Sequence, residues 1–532
     1  MKAHTFCSSM QAKSNSCFEH TPFRRFITSA VAGTAALSVG LSLAEAADEA
    51  TLREKPGMAQ RPNILLILSD DLSYGDLGCL GQERFRTPNL DQLAANGVIF
   101  NNAYAGGAWC APSRTSLLTG LRPDRWSNPR KAYPTIAQML QKSGYRTGVF
   151  GKWHIVDDDK LLPGARGFDT ALVGYMVAHP ELKSANLNKM NPYFPEILLR
   201  EDGREVRFPE NQKVTEEYVW SYGHSNQREP ARTRMYDPEG HFKDPEGNTN
   251  LTFSEDVYRD AALDFLRASK DEPFFLYYAT ALPHSPIGIN KLGRFKEMPE
   301  EWGLNPAAST TFPRQLWAAM VEEMDRNVGM ILDELKASGR DKNTIVIFAS
   351  DNGYACWGNW NTGERWKDDD FFQHKGPWDR GKFVNANGGL TVPFIASWPG
   401  TLPPGENGRA VSFYDFMATF ADLAGAELPV PTDGISLAPL LKGHPDQLPL
   451  RAEIVFPKEG GGTLKGTHPM NAVLLDEQYY AYTEIGNPEF EDAPIRLFDI
   501  RSDPGCENDL SGKFPEMTER ALHILRPELA GR

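Results

Sequence analysis

The chain has 532 residues, a hydrophobic content of 41% and a formal net charge of −14 at pH 7. This length exceeds one ordinary compact domain and brings enough apolar residues for a large core, so we expect one large domain and one smaller domain. The acidic residues are spread along the chain, which argues against nucleic acid or another polyanion recruited by overall charge. An anionic substrate must therefore be bound by a local cationic pocket.

The first 46 residues have the composition of a targeting segment. Arg24 and Arg25 precede an apolar run that ends at Ala44-Glu45-Ala46, typical of a cleavage site. The arginine pair is similar to a twin-arginine export signal, although Phe23 stands before it. The run is too short and too polar for a membrane span, which needs about 20 strongly apolar residues. We predict a signal over 1–46, an exported periplasmic or extracellular protein, and no stable membrane insertion; an uncleaved anchor is the alternative.

Strand-like and helical patterns then alternate along the chain. Such alternation is typical of an α/β fold with a large mixed, mostly parallel sheet sandwiched by helices. The predicted elements, in chain order, are a strand at 63–68, helices at 90–96 and 135–143, a strand at 146–150, a helix at 254–269, a strand at 273–279, a helix at 314–337 and a strand at 344–350.

Two polar stretches interrupt this alternation, at 175–250 and 354–385. Both are longer than ordinary connections, and we interpret them as loops that cover the site. The second is rich in tryptophan, namely Trp357, Trp360, Trp366 and Trp378. These indole rings are predicted either to stack on sugar rings or to anchor the loop by packing.

The chain changes character after Leu441. Short strand-like pieces at 472–475 and 479–483 precede a final helix at 514–525. This pattern predicts a smaller α+β domain that carries an antiparallel sheet. The predicted organisation is a signal peptide at 1–46, a catalytic domain at 47–441 and a C-terminal domain at 442–532.

Two of the apolar strands each end in a pair of oxygen-bearing side chains. Asp70 and Asp71 follow the first predicted strand, and Asp351 and Asn352 follow the last strand of the large domain. Open parallel sheets bind ligands beyond the carboxyl ends of their strands. If the two strands are neighbours, these hard oxygen ligands suit Ca²⁺ or Mg²⁺. Either pair alone would instead indicate a capped loop or a simple turn.

A third motif is Cys110-Ala111-Pro112-Ser113-Arg114, preceded by Gly106-Gly107. A loop leads into a helix that begins near Pro112, and the positive end of the helix dipole points toward Cys110. The motif resembles the Cys-x-Pro-Ser-Arg signature of type I sulfatases, members of the alkaline phosphatase superfamily in which this cysteine is oxidised to formylglycine. A buried thiol beside a helix start is the alternative.

The resemblance extends along nearly the whole mature chain. Gly151-Lys152-Trp153-His154 is similar to a family segment near the nucleophile, and Pro283-His284-Ser285-Pro286 to the segment whose histidine approaches the leaving oxygen. The family's second lysine corresponds to Lys382, with Lys375 as a competitor. The family's Glu-Gly-Gly-x-Arg-Val-Pro motif has lost its Glu and Arg here, where Asn387 begins the matching segment. The resemblance at this segment therefore defines neither a subfamily nor a substrate.

The resemblance implies hydrolysis of a sulfate ester with one divalent cation, Ca²⁺ favoured over Mg²⁺. The implied metal ligands are Asp70, Asp71, Asp351, Asn352 and the formylglycine made from Cys110. Arg114 and Lys152 would steady the aldehyde hydrate, and Lys382 and His284 would bind sulfate and protonate the leaving alcohol. His154 would act as the base that expels sulfate and restores the aldehyde.

The implied partners are a sulfated small molecule or glycan and an enzyme that generates formylglycine. A sulfated carbohydrate is the preferred substrate because of the tryptophan-rich loop. One alternative is a phosphonate or phosphodiester hydrolase, since the same metal and aldehyde serve phosphorus chemistry. Another is a silent binding protein for sulfated glycans in which Cys110 is never converted.

Overall fold

A computed structural model describes the chain in ten stretches. They are 61–126, 133–155, 162–174, 197–211, 252–270, 272–284, 314–355, 371–457, 470–484 and 494–526. The predicted signal over 1–46, with its arginine pair, lies outside the described residues.

The first apolar run forms a central strand because it has apolar side chains for both faces of a sheet. Ile64, Leu66 and Leu68 enter one hydrophobic core, and Leu65 and Ile67 enter another on the opposite face. Strands of parallel sheets that are covered on both faces need such continuous apolar runs. The strands through the large domain are β1 (Asn63–Ser69), β2 (Val98–Phe100), β3 (Ala103–Tyr104), β4 (Arg146–Lys152), β5 (Thr170–Gly174), β6 (Ile197–Arg200), β7 (Glu205–Arg207), β8 (Phe274–Ala279), β9 (Thr344–Ser350), β10 (Phe394–Ser397), β11 (Gly405–Asn407) and β12 (Val411–Ser412).

Ten of these strands form one sheet in the order β11-β2-β10-β9-β1-β8-β4-β5-β6-β7, and β12 pairs with β3 in a separate two-stranded sheet. The five central strands, β9 to β5, are parallel to one another. β10 and β6 pair antiparallel with their neighbours. The expectation of a mixed, mostly parallel sheet is confirmed, and β1 and β9 are adjacent along their whole length.

Helices cover both faces of this sheet, as predicted. The helices among the described residues are α1 (Pro88–Ala95), α2 (Cys110–Thr119), α3 (Pro123–Trp126), α4 (Ile136–Lys142), α5 (Ser254–Ala268), α6 (Arg314–Ala337), α7 (Asn387–Leu390), α8 (Asp415–Ala424), α9 (Ala438–Leu441) and α10 (Pro515–Leu525). Side chains of α2, α4 and α8 pack into one core, and those of α1, α5 and α6 into the other. Among the described residues, no helix is both long and apolar enough to cross a bilayer.

A second sheet follows, built from β13 (Glu453–Phe456), β14 (Met470–Leu475), β15 (Tyr479–Glu484) and β16 (Arg496–Asp499). It is antiparallel throughout, as expected. One face packs against α10, and the other shares a core with Tyr104, Val384 and Tyr414 of the large domain. Residues 55–532 form one compact unit, and a boundary between 441 and 442 stays a prediction.

The stretch predicted as a loop at 175–250 contains regular structure that the sequence analysis missed. β6 and β7 form a hairpin that extends the large sheet at its edge. Ile197, Leu198 and Leu199 are buried, but an apolar run of three residues is too short to stand out against a long polar background. Within 175–250, residues 175–196 and 212–250 lie outside the described residues.

Gly151 lies where β4 passes very close to β8. Its φ is +121°, and a Cβ atom added there would lie 1.9 Å from the carbonyl oxygen of Ala279. Both the positive φ and the close approach require glycine. This position directly precedes Lys152, the last residue of β4.

We predict that Gly151→Ala destabilises the fold by more than the roughly 1–3 kcal/mol that an unfavourable φ costs, because the steric clash with Ala279 adds to it. Gly81→Ala is the matched control, since Gly81 has φ +106° but open space around its Cβ position. Urea unfolding of both variants measures the difference. Equal losses of stability would show that the approach of β4 to β8 imposes no constraint of its own.

Candidate active site

The site is built where four neighbouring parallel strands end. Asp70 and Asp71 follow β1, and Asp351 and Asn352 follow β9. Lys152 ends β4, and His284 lies shortly after β8. Since β9, β1, β8 and β4 are adjacent and parallel, their carboxyl ends meet at one edge of the sheet. Register alone therefore brings these side chains together.

The two acidic loops are bonded directly to each other. The Asp71 amide donates to Asp351 Oδ1 at 3.2 Å, and Asn352 Nδ2 donates to Asp71 Oδ1 at 2.9 Å. The backbone of Asp71 is left-handed, with φ +66°, a conformation that aspartate tolerates better than most residues. All four acidic and amide side chains of the strand ends are fully buried.

Cys110 is the first residue of α2, with Trp109 as the N-cap. Its Sγ atom lies 3.4 Å from Asp70 Oδ1 and 3.2 Å from Lys382 Nζ. Burial, with Asp351 and Asp70 nearby, raises the pKa of the Cys110 thiol. The expected juxtaposition of a helix start with the acidic strand ends is therefore present, and Cys110 is a protonated thiol at neutral pH.

Arg114 reaches back from the next turn of α2 into the same site. Its Nε donates to Asp351 Oδ2 at 2.9 Å and one terminal nitrogen donates to the Lys152 carbonyl at 3.1 Å. The other terminal nitrogen lies 3.9 Å from Asp70 Oδ1 and has no hydrogen-bond partner among the described residues. One guanidinium thus connects the ends of β9, β4 and β1.

Two buried lysines neutralise the aspartates that follow β1. Lys152 Nζ lies 2.5 Å from Asp70 Oδ2, and Lys382 Nζ lies 2.5 Å from Asp71 Oδ1. Lys382 comes from the segment before α7, where its amide donates to the Tyr354 carbonyl at 2.7 Å. Of the two lysines that competed on sequence grounds, Lys382 contacts Cys110 and Asp71, whereas Lys375 is partly exposed.

The two predicted histidines contact different groups at the site. His284 Nε2 is 3.5 Å from Asp71 Oδ2. His154 has φ +41° and its ring packs edge to face with Trp109 at a centroid distance of 6.3 Å. Burial and the charges of Lys152 and Arg114 hold the pKa of His154 well below its usual range, so its imidazole is neutral at pH 7.

Charge in this site is closely balanced. Three buried carboxylates, Asp70, Asp71 and Asp351, face three buried cations, Arg114, Lys152 and Lys382. Burial alone would raise the pKa of Asp71, but Lys382, His284 and Lys152 hold it well below its usual range. Burial and the neighbouring Asp70 raise the pKa of Asp351 to about 6, against the pull of Arg114.

Four buried side chains of the site lie close enough together to hold a metal ion. One ligand atom each from Asp70, Asp71, Cys110 and His284 lies within 4.8 Å of the others. Two buried oxygens, Asp71 Oδ2 and Asn352 Oδ1, have no hydrogen-bond partner among the described residues. Both are therefore available to coordinate a cation. This group differs from the ligand set inferred from the sequence, since it includes His284 and leaves out Asp351, whose oxygens bond to Arg114 and Asp71.

The segment that departs from the family motif still packs against the acidic loops. Gly388 and Gly389 accept hydrogen bonds from Tyr354 and Gly353, and a Cβ on Gly388 would lie 2.3 Å from the Asp379 carbonyl. Asn387 stands where the family has Glu, and it bridges the Asp379 amide and the Pro504 carbonyl. Asn387 therefore makes a supporting contact here, and Lys382 lies beside Cys110.

Two residues at the site escaped sequence reasoning. Tyr277, inside β8, places its hydroxyl 3.5 Å from a terminal nitrogen of Arg114. Trp109 is partly exposed between Cys110 and His154. Tyr277 lies in an unbroken apolar run, which gives no signal of a polar contact, whereas the position of Trp109 beside Cys110 was a signal available from the motif itself.

Of the loop tryptophans, only Trp378 lies within the described residues. Its ring packs edge to face on Tyr74 at a centroid distance of 5.6 Å. This contact supports the packing alternative for Trp378. Trp357, Trp360 and Trp366 lie outside the described residues, as do Ser285 and Pro286 of the segment that carries His284.

Comparisons with a family model and with known sequences both identify sulfatases. The sequence model of the sulfatase family matches residues 62–426. The chain is 30% identical over 499 residues to arylsulfatase A of Bos taurus, covering 88% of this chain and 87% of that protein. It is 28% identical over 542 residues to the N-acetylgalactosamine-6-O-sulfatase of Bacteroides thetaiotaomicron, covering 91% and 96%. The structure of Ps i-CgsB in complex with k-i-k-neocarrahexaose superposes with a TM-score of 0.61 at 25% identity, over 87% of this chain and 92% of that one.

The match to the sulfatase family model and the sequence relatives identify the chain as a hydrolase of the alkaline phosphatase superfamily. The chain belongs to the sulfatase family, whose type I members depend on formylglycine. It is accordingly a sulfuric ester hydrolase, which confirms the class that the motif around Cys110 predicted.

We predict that Arg114→Met destabilises the fold by about 3–5 kcal/mol, because it leaves Asp351 buried without its cation. Arg122→Met is the control, since Arg122 pairs with Asp124 at 3.2 Å near the surface and its loss should cost less than about 1 kcal/mol. Urea unfolding at pH 8, above the pKa of about 6 of Asp351, measures both. Similar losses in the two variants would contradict the assignment of Arg114 as the counter-ion of Asp351.

Proposed function

We propose that this chain hydrolyses a sulfate ester of a carbohydrate with a formylglycine nucleophile made from Cys110 and one bound divalent cation. The observation that carries the proposal is the contact of Cys110 with both Asp70 and Lys382 at the start of α2. This arrangement unites a nucleophile position, a metal ligand and a cation for the sulfate group in one buried site.

The electrostatics of Cys110 argue against direct use of its thiol. A catalytic cysteine needs a lowered pKa, because the thiolate is the attacking species. Burial and two carboxylates raise the pKa of Cys110 instead. Conversion to an aldehyde hydrate replaces sulfur by oxygen at this position, and the hydrate oxygen, for which Sγ stands in here, is the better partner for a hard cation. A formylglycine-generating enzyme is the implied partner.

The proposed cation ligands are Asp70, Asp71, Asn352 and residue 110, with Asp351 completing the set from the end of β9. Ca²⁺ is favoured over Mg²⁺ because an oxygen-rich set with several carboxylates suits its higher coordination number. When bound, the cation supplies positive charge that polarises a sulfate oxygen and favours ionisation of the hydrate. Two added charges in an otherwise balanced cluster would match one negative charge on the sulfate ester and one on the ionised hydrate.

The remaining side chains divide the work of binding and proton transfer. Arg114 and Lys152, which both lie beside Asp70, would steady the aldehyde hydrate at residue 110. Lys382, 3.2 Å from Cys110 Sγ, lies where it would bind the sulfate group. His284 would give a proton to the leaving alcohol. The neutral ring of His154, whose buried Nδ1 has no hydrogen-bond partner among the described residues, would take the proton from the hydrate and release sulfate.

The substrate class rests on the relatives. One relative is named as an N-acetylgalactosamine-6-O-sulfatase, and a structural neighbour at 25% identity was solved with a neocarrahexaose. Both names point to sulfated sugars. Trp109, partly exposed beside the nucleophile position, offers an aromatic face near the sulfate site. Export to the periplasm or the outside of the cell, where sulfated glycans occur, follows from the predicted signal over 1–46.

We predict that a panel of sulfated mono- and oligosaccharides yields free sulfate with the wild-type enzyme, and that Cys110→Ala abolishes this release without loss of folding. Cys79→Ala is the control, because Cys79 is a partly exposed free cysteine in a short helical turn at Gly78–Leu80. Release is measured as inorganic sulfate, and folding by thermal melting. Appreciable turnover by Cys110→Ala, or faster cleavage of aryl phosphates than of aryl sulfates by the wild type, would refute the assignment.

Conversion of Cys110 is checked independently of turnover. Intact-mass analysis of the Cys110 peptide separates the aldehyde from the thiol, and only the thiol can be alkylated under denaturing conditions. The proposed function requires the aldehyde in active preparations. A fully alkylated peptide from an active preparation would rule out formylglycine as the nucleophile.

We predict that exhaustive chelation abolishes sulfate release and lowers the unfolding temperature, and that Ca²⁺ restores both. A cation at one hundred times its dissociation constant stabilises the fold by about 2.7 kcal/mol. Asp71→Asn should weaken this stabilisation, whereas Asp433→Asn, at a surface pair with Arg125, should not. Unchanged melting on chelation, together with no metal in elemental analysis, would contradict a metal site.

A further inference from the structure

A buried carboxylate that the proposed chemistry does not use accepts two hydrogen bonds from the turn that carries His284. Glu255, the second residue of α5, is 0% exposed. Its Oε2 accepts a hydrogen bond from Thr280 Oγ1 at 2.6 Å, and its Oε1 accepts one from the Ala281 amide at 3.0 Å. Both donors lie between the end of β8 and His284. A single carboxylate therefore fixes two successive residues of this turn.

Hydrogen bonds continue from this contact to both sides of the active site. The Leu282 amide donates to Thr280 Oγ1 at 3.1 Å, and the Leu282 carbonyl accepts from the Asp70 amide at 3.2 Å. The His284 amide donates to the Ala281 carbonyl at 2.9 Å. The turn is thus joined to Glu255 on one side, and to Asp70 and His284 on the other.

The chemical type of Glu255 matters because two donors converge on it. A carboxylate presents two acceptor oxygens, whereas an amide of the same shape presents one oxygen and one NH₂ group. A glutamine could keep the Ala281 bond through its oxygen, but its NH₂ group would then face Thr280 Oγ1. The hydroxyl would have to change from donor to acceptor toward residue 255 while it also accepts from the Leu282 amide. Burial raises the pKa of Glu255 to about 7, against the two hydrogen bonds that lower it, so the fold bears a cost for an acidic group at this position.

We propose that Glu255 is a positioning residue for His284, and that it acts through the Thr280–Ala281 turn to set protonation of the leaving alcohol. The inference rests on the proposed function, in which His284 gives a proton to the departing oxygen. A group that only supports the fold would affect all substrates alike. A group that aims a proton donor should matter most when the leaving group needs that proton.

The test compares two leaving groups in the full-length, matured enzyme. An alkyl sulfate such as N-acetylgalactosamine 6-sulfate, or whichever sugar sulfate the panel shows to be hydrolysed, releases a basic alkoxide, whereas p-nitrophenyl sulfate releases a weakly basic phenolate. Glu255→Gln should lower kcat for the sugar sulfate about 10- to 100-fold, less than most of the roughly 10²- to 10⁴-fold that general acid catalysis contributes, because the proton donor is displaced and not removed. The kcat for the nitrophenyl ester should fall less than about 3-fold, by the same argument from leaving-group basicity.

Three controls separate positioning from loss of structure. Asp325→Asn removes another buried carboxylate that accepts from backbone and amide donors, Leu90 N and Asn89 Nδ2, and should leave the ratio of the two rates unchanged. Thr280→Val removes the hydroxyl that donates to Glu255 and should reproduce the change in the ratio of the two rates. This variant provides the test if Glu255→Gln fails to fold. Thr280→Ser keeps the hydroxyl and should restore the wild-type ratio.

His284→Gln distinguishes failure of this inference from failure of the proposed function. If His284→Gln shifts the ratio and the Glu255→Gln and Thr280→Val variants do not, the positioning role is overturned and the role of His284 stands. If His284→Gln lowers both rates equally, the proposed proton donor is wrong, and the inference falls with it. With both correct, the double variant of Glu255 and His284 should show the same ratio as His284→Gln alone, since the two act as one unit.

Discussion

This site depends on buried carboxylates and buried cations that neutralise one another. Asp70, Asp71 and Asp351 are fully buried, and removing an ion from water costs several kcal/mol even after relaxation. Two unit charges 4 Å apart recover about 4 kcal/mol at the effective dielectric constant of a protein surface, and more where water is excluded. The carboxylates are therefore tolerable only because Arg114, Lys152 and Lys382 lie within a few ångströms. Chemistry and stability are served by the same contacts.

The fold meets this constraint by placing the charges on elements that cannot easily move apart. β9, β1, β8 and β4 are adjacent and parallel, and the register of each pair fixes how far its carboxyl end projects. Arg114 adds a tie from α2 to the ends of three strands, and the segment before α7 adds Lys382. A rigid sheet edge thus supplies the precision that a charged, buried site requires, and the small antiparallel sheet packs behind it through a core shared with Tyr104 and Tyr414.

Much of this arrangement was accessible from the sequence because continuous apolar runs and helical periodicity are strong signals. The helix at 314–337 and the strand at 344–350 coincide with α6 and β9. The pairing of β1 with β9, which brings the acidic ends together, was a condition of the metal hypothesis, and the sheet topology fulfils it. Contacts between distant segments could not be predicted from the sequence. The residues around Tyr277 and Glu255 in the sequence do not indicate which side chains these two contact, and the β6–β7 hairpin is too short to give a periodic signal.

The departure of this chain from the family motif at Asn387 leaves the contacts around Cys110 in place. Asn387 bridges Asp379 and Pro504, outside the contacts of Cys110, while Lys382 keeps its place beside the nucleophile position. The motifs around Cys110 and Lys152 are short and lie among the charged contacts at the strand ends. They therefore predicted the sulfatase class, which is confirmed, and gave no information about the rest of a substrate.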